Sequence, residues 1–110
     1  MKNRTQLDAV TSGGTTGFNA FNTGTGTLVG LFCPALSSGT FTFEAKDKAG
    51  TWYPVRDIES ASAYYIPVGS AGFVPVDANV FAGVANLRIT GNTNELSSKS
   101  VYPVVAPINL

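Results

Sequence analysis

Histidine is absent from this chain of 110 residues, cysteine occurs once, and only 13% of positions carry charge. The missing histidine removes the side chain that most often serves as general base and metal ligand near neutral pH. With Cys33 as the sole thiol no intrachain disulfide can form, and zinc or transition-metal chemistry has too few donors. Seven basic residues balance seven acidic ones, so no net field draws the chain to nucleic acid or to an anionic membrane. No apolar run approaches the ~20 residues of a membrane-spanning helix. The opening Met1-Lys2-Asn3-Arg4-Thr5-Gln6 lacks the apolar centre of a signal peptide. The expectation is a protein made in a cytoplasm and held there until it is assembled or released.

Reactive constellations are equally scarce. The carboxylates are Asp8, Glu44, Asp47, Asp57, Glu59, Asp77 and Glu95. Asp57 and Glu59 are close enough for a hydrolytic pair or a calcium loop, but no EF-hand-like run of ligands surrounds them, and a solvated turn is the simpler reading. Glu44 and Asp47 flank Lys46 and Lys48, as hairpin-tip charges screened by water do. The Gly-rich stretches Ser12–Gly17 and Thr23–Gly26 lack the lysine and following helix of a phosphate loop. No Gly-x-Ser-x-Gly elbow is present, and no histidine exists to complete a triad. Cys33, inside the apolar run Leu28–Leu36, reads as a small buried residue and not a nucleophile. The sequence therefore predicts a non-enzyme with no catalytic residues, no metal and no cofactor.

Twelve glycines, six prolines, seven phenylalanines and four tyrosines, with many Thr and Val, indicate an all-β protein rich in tight turns. One domain is the expectation at this length. Its clearest element is Gly39–Asp57. Phe41, Phe43 and Ala45 alternate with Thr40, Thr42 and Glu44, the period of a strand with one dry face. Lys46-Asp47-Lys48-Ala49-Gly50 then turns the chain into Thr51–Arg56, so Phe41–Val55 reads as a hairpin. Thr5–Val10 reads as a short first strand. Thr27–Cys33 and Lys99–Pro107 are strands apolar on both faces, which requires cover on both. Ala63–Val68, Gly72–Val76 and Val84–Thr90 are further strands. Asp77–Gly83 has an N-cap, inward Val80 and Phe81 and a closing glycine, the pattern of one helical turn. Four X-Pro-Val triplets, at Pro54, Pro67, Pro75 and Pro103, mark short strands with protected edges, because proline has no N–H for a ladder.

About eight short strands at roughly ten-residue spacing predict an antiparallel β-sandwich, jelly-roll-like, with an immunoglobulin-like sandwich as the other topology. Residues 1–26 are set apart as an N-terminal arm and residues 27–110 as the sandwich domain. Thr11–Gly26 is dominated by Ser, Gly, Thr and Asn around two isolated aromatics, Phe18 and Phe21. It reads either as a flexible loop or as an extended arm docking those rings on a neighbour, each contributing about 1.5–3 kcal/mol.

Gly39-Thr40-Phe41-Thr42-Phe43-Glu44-Ala45, Trp52-Tyr53-Pro54-Val55 and Val76–Val84 followed by Leu87-Arg88-Ile89 resemble small structural proteins of tailed bacteriophages. The hairpin is also similar to that of discoidin-like jelly rolls, although the flanking cysteines and basic loops of those domains are missing. The phage resemblance spans about Leu28–Thr90. It implies a virion protein of the capsid decoration or cement type, bound to the major capsid protein, often trimeric, and stiffening the shell. Low charge with 44% hydrophobic content agrees with a surface covered by a partner. The residues expected at partner or subunit contacts are Phe18, Phe21, Leu28, Val29, Leu31, Val101, Tyr102 and Val104, with the Val101–Leu110 segment. The competing expectation is a carbohydrate-binding module with Trp52, Tyr64 and Tyr65 as its stacking platform.

Overall fold

In the computed structural model, which describes residues 4–11 and 13–107, the chain forms an all-β sandwich of two antiparallel sheets. The strands are β1 (Thr5–Gln6), β2 (Ala9–Thr11), β3 (Phe21–Asn22), β4 (Gly26–Cys33), β5 (Thr40–Lys46), β6 (Trp52–Pro54), β7 (Tyr65–Pro67), β8 (Gly72–Pro75), β9 (Asn86–Gly91) and β10 (Lys99–Pro107), with one short helix, α1 (Ala78–Phe81), between β8 and β9. The first sheet runs β1-β10-β4-β8, with β2 also on β10; the second runs β3-β9-β5-β6, with β7 also on β5.

The alternation in Gly39–Asp57 gives the hairpin it predicts. Lys46 pairs with Trp52 and Glu44 with Pro54, and Gly50 takes the positive φ of +95° that closes the turn. Asp47 fastens the tip: its Oδ1 accepts from the amides of Ala49 and Thr51, each at 2.9 Å. Phe41 and Phe43 enter the core while Thr42 and Glu44 face out. In α1 the Asp77 side chain accepts from Asn79 N at 3.0 Å as an N-cap, and Phe81 is wholly buried. The core lies between the sheets, with Leu28, Leu31 and Val101 from one side meeting Phe41, Phe43, Leu87 and Ile89 from the other. Phe43 makes an edge contact with Phe81 at 4.9 Å between ring centroids, and Tyr64 closes the cluster 5.6 Å from Phe81.

Strand β4 buries Leu28 and Leu31, which strict alternation would place on opposite faces. The β4–β10 register shifts between Val104 and Val105: Gly30 opposes Val104 but Leu28 opposes Val105, so Val29 is an extra residue on β4. A bulge of this kind changes the parity of a strand. Leu28, Leu31 and Cys33 all point inward as a result, while Gly30 and Phe32 point out.

The prolines sit where their missing N–H does no harm. Val55, Val68 and Val76 donate inward, to Phe43, Gly39 and Val29 respectively, so the preceding Pro54, Pro67 and Pro75 face away from the sheet. All three lie on outermost strands. Pro103 is in the middle of a sheet, at the break where β2 hands over to β1 along β10.

The extended N-terminal arm gives way to integrated strands. Thr5–Val10 is split into β1 and β2, both on β10, and Phe21–Asn22 is β3, paired with β9. The backbone of Phe18 donates to Ile89 O at 3.1 Å, and its ring packs edge-on against Phe41 at 5.3 Å. Phe18 and Phe21 are thus core residues of their own chain, because the two rings fill the sandwich beside β9. Neither is available for docking on a neighbour. Of the Val101–Leu110 segment, residues 108–110 lie outside the described residues.

Candidate functional site

The two outer faces of the sandwich differ in chemistry. On the second sheet the outward residues of β5, β6 and β9 bring Glu44, Lys46, Trp52 and Arg88 together. Arg88 forms an ion pair with Glu44, and its guanidinium lies 4.3 Å from the Trp52 ring centroid, with Lys46 Nζ at 5.5 Å. One ring face of Trp52 is therefore already stacked by a cation. This is a solvated, charged surface.

The first sheet presents aromatic rings instead. Tyr102 on β10 opposes Phe32 on β4, and Phe32 opposes Phe73 on β8. Directly paired residues share a face, so the three rings form one row across three strands. Tyr102, Phe32 and Phe73 are each about two-fifths exposed, at 41%, 42% and 41%. Phe32 and Phe73 touch at 4.9 Å between centroids. Phe73 lies over Gly30 so closely that a Cβ there would collide with its ring. Glycine at position 30 makes the hollow that seats Phe73, a packing role that periodicity does not reveal.

The ridge of Phe32 divides two hollows. One of about 380 Å³ is bounded by Phe32, Phe73, Val104, Gln6 and Arg4. The other, about 240 Å³, is bounded by Phe32, Cys33, Pro34, Ser100 and Tyr102. Among the described residues, Arg4 is the only charged side chain that lines either hollow.

The eight residues expected at partner contacts separate clearly. Leu28, Leu31 and Val101 are fully buried and, like Phe18 and Phe21, belong to the core; their apolar character reflects the inner face. Val29 is the half-buried bulge residue. Val104 faces outward but is covered, lining the larger hollow. Tyr102 alone is both exposed and on the aromatic row. Phe32 and Phe73 complete that row and were not among the expected contact residues, because β4 reads as uniformly apolar until the bulge fixes its parity.

The three-ring carbohydrate platform does not assemble. Tyr64 points into the core, where its hydroxyl accepts from Asp77 N at 3.0 Å. Trp52 pairs with Lys46 and Tyr65 with Thr42, four residues apart along β5, or about 13 Å at roughly 3.3 Å per residue. Tyr65 is 64% exposed, beside an open cleft that Asp57 and Ser62 also line.

Two groups carry shifted pKa values. Burial pushes the Cys33 thiol up to about 11. At pH 8 roughly one molecule in a thousand then holds the thiolate that reacts. Native protein is expected to label with a thiol reagent on the order of a hundredfold or more slower than protein in denaturant; equal rates would show Cys33 to be accessible. Glu95 is 1% exposed. Burial by itself raises its carboxyl, but the amides of Ser37 and Ser38, the Ser38 hydroxyl and the Lys99 charge outweigh it and hold the group below the ordinary range. Its Oε1 accepts from Ser37 N at 2.9 Å and its Oε2 from Ser38 N at 3.0 Å. Its backbone bonds Gly14 and Thr15. Glu95 therefore ties three loops together at one end of the sandwich, and a carboxylate so engaged is a structural clamp. Among the described residues no three His, Cys, Asp or Glu side chains gather closely enough to hold a metal ion. Set against protein-family models, curated proteins and solved structures, the chain matches none of them.

Proposed function

We propose that this chain is a non-enzymatic structural module of a larger particle, of the capsid decoration type, that works by burying one face of its sandwich. The single observation carrying this reading is the row Tyr102–Phe32–Phe73, three large rings held half-exposed on an almost uncharged sheet face. Contiguous apolar patches rimmed by polar groups mark interaction sites, whereas scattered apolar residues do not. The strand order supports the jelly-roll form of this reading. Counting β1 with β2 and β6 with β7 as split strands leaves eight, in the orders 1-8-3-6 and 2-7-4-5. Proline on β6, β7 and β8 blocks strand addition at one edge of each sheet, while the β1/β2 and β3 edges carry none. A virion location and the major capsid protein as lattice partner rest on the resemblance in the hairpin and in Val76–Ile89. Repetition on a lattice adds avidity, so each single contact can be modest.

The test is co-sedimentation with capsid particles that lack their decoration layer. The wild type is expected to pellet with the particles, and a Phe32→Ser/Tyr102→Ser variant to lose at least tenfold in apparent affinity. Wild-type protein that stays in the supernatant at saturating concentration would overturn the proposal. The carbohydrate reading keeps one observation in its favour, the exposed Tyr65 beside Asp57, and predicts a change in tyrosine fluorescence on adding oligosaccharides.

A further inference from the structure

We infer that the cleft beside Tyr65 is a binding site for a neutral oligosaccharide, on the second sheet and away from the aromatic row of the first. The site goes beyond the attachment role and does not depend on it. Alternation along β7 builds one wall. Ile66 is buried while Tyr65 and Pro67 are exposed, so the phenol ring and the proline ring stand two residues apart on the same outer face. Tyr65 opposes Thr42, which holds its backbone to the central strand β5. The loop after β6 builds the other wall. Asp57 N donates to Ser62 O and Tyr64 N to Val55 O, each at 2.9 Å, and Arg56 bridges Ala63. These contacts close the loop at its base. Asp57 and Ser62 thereby line, with Tyr65 and Pro67, a cleft of about 400 Å³.

The chemistry of the two walls selects the ligand. A pyranose has an apolar C–H face and an edge of hydroxyl groups. The exposed Tyr65 ring takes the C–H face, the Asp57 carboxylate accepts from hydroxyls, and Ser62 can donate or accept. Few polar groups on a largely apolar lining is the usual make-up of a small-ligand site. Among the described residues Asp57 enters no ion pair, and no lysine or arginine lines the cleft. An acidic sugar would meet a like charge with no cation to offset it. A quaternary ammonium needs a cage of ring faces, and the single exposed ring provides only one. One ring and one carboxylate make few contacts, so the expected affinity is in the millimolar range.

The test follows amide NMR shifts of the isotopically labelled full chain during separate titrations with maltotriose, cellotriose, chitotriose, trigalacturonate and choline. At least one neutral trisaccharide is expected to shift the Tyr65, Asp57 and Ser62 amides saturably, about tenfold or more tightly than trigalacturonate or choline. Tyr65→Ser is expected to abolish the saturable shift, and Asp57→Asn to narrow the gap between neutral and acidic sugars. Tyr53→Ser, which alters an exposed ring on β6, and Phe32→Ser, on the other sheet, should bind sugar as the wild type does. Thermal melts confirm that each variant is folded. No saturable shift with any of the three neutral sugars overturns the inference. Equal binding of trigalacturonate, preference for choline, binding retained in Tyr65→Ser or a gap unchanged in Asp57→Asn does the same. The capsid experiment fails or succeeds separately: a chain that pellets with particles but ignores sugars keeps the attachment role and removes this site.

Discussion

Replacing Phe43 by alanine is expected to cost about 3–5 kcal/mol of folding stability. Its ring is 1% exposed and meets Phe81 edge-on, with Tyr64 behind, so truncation opens a cavity at the centre of the sandwich. Neighbouring strands are pinned on both sides of β5 and cannot collapse into the space. Domains of this size hold only about 5–15 kcal/mol in total, so the variant would be marginal at 37 °C. Phe32→Ala provides the internal contrast. It removes the same atoms from an apolar strand, yet its ring is 42% exposed on the outer face, and the monomer should lose less than half as much. Urea unfolding at a concentration low enough to keep the protein monomeric measures both; a shift in midpoint at constant slope isolates stability. Equal costs for the two would contradict the assignment of inner and outer faces.

The second large effect belongs to Glu95. Glu95→Ala leaves the amides of Ser37 and Ser38 without their acceptors in a closed site and is expected to cost roughly 3 kcal/mol, with Glu95→Gln costing less because one acceptor oxygen remains. The pH dependence has a definite sign. The folded carboxyl titrates below its ordinary value of about 4.3, so its contribution is complete above that pH and is lost as pH falls through the folded value. Wild-type stability should therefore drop below about pH 4.3, and the part of that drop due to Glu95 should vanish in Glu95→Gln. A variant whose acid profile parallels the wild type would show that the clamp does not depend on the charge. Neutralisation should also loosen the loops at residues 13–17 and 37–39, which hydrogen exchange would detect as local opening.

The parts of this fold that are legible in the sequence are those set by neighbours in the chain. Alternation through Phe41–Ala45, the Asp47–Gly50 tip and the Asp77 cap act within a few residues, and each appears where the pattern places it. What the pattern does not carry is long-range. Phe18 and Phe21 sit in a stretch too poor in apolar residues to suggest a strand, and they are ordered by Ile89 and Leu87 of β9, 71 and 66 positions away. The parity of β4 depends on a bulge opposite Val104 and Val105, so Phe32 could not be told from Leu31 by counting. Glu95 looks like one more polar turn residue because its acceptor role is fixed by amides near position 37. The candidate interaction surface was legible only as an excess of apolar residues. Tyr102 was identified from that excess, whereas Phe32 and Phe73 required the register of three paired strands. The Gly30 hollow likewise exists only once β8 lies beside β4.

Covalent footprinting of the aromatic side chains, read by mass spectrometry in dilute solution and again in the assembled state, tests the central claim most directly. Phe32, Phe73 and Tyr102 are predicted to label in the dilute chain and to become protected together on assembly, while Tyr53 and Tyr65 label equally in both. Unchanged labelling of the row, or protection centred on Tyr65, would contradict the claim that this sheet face is the one the molecule buries.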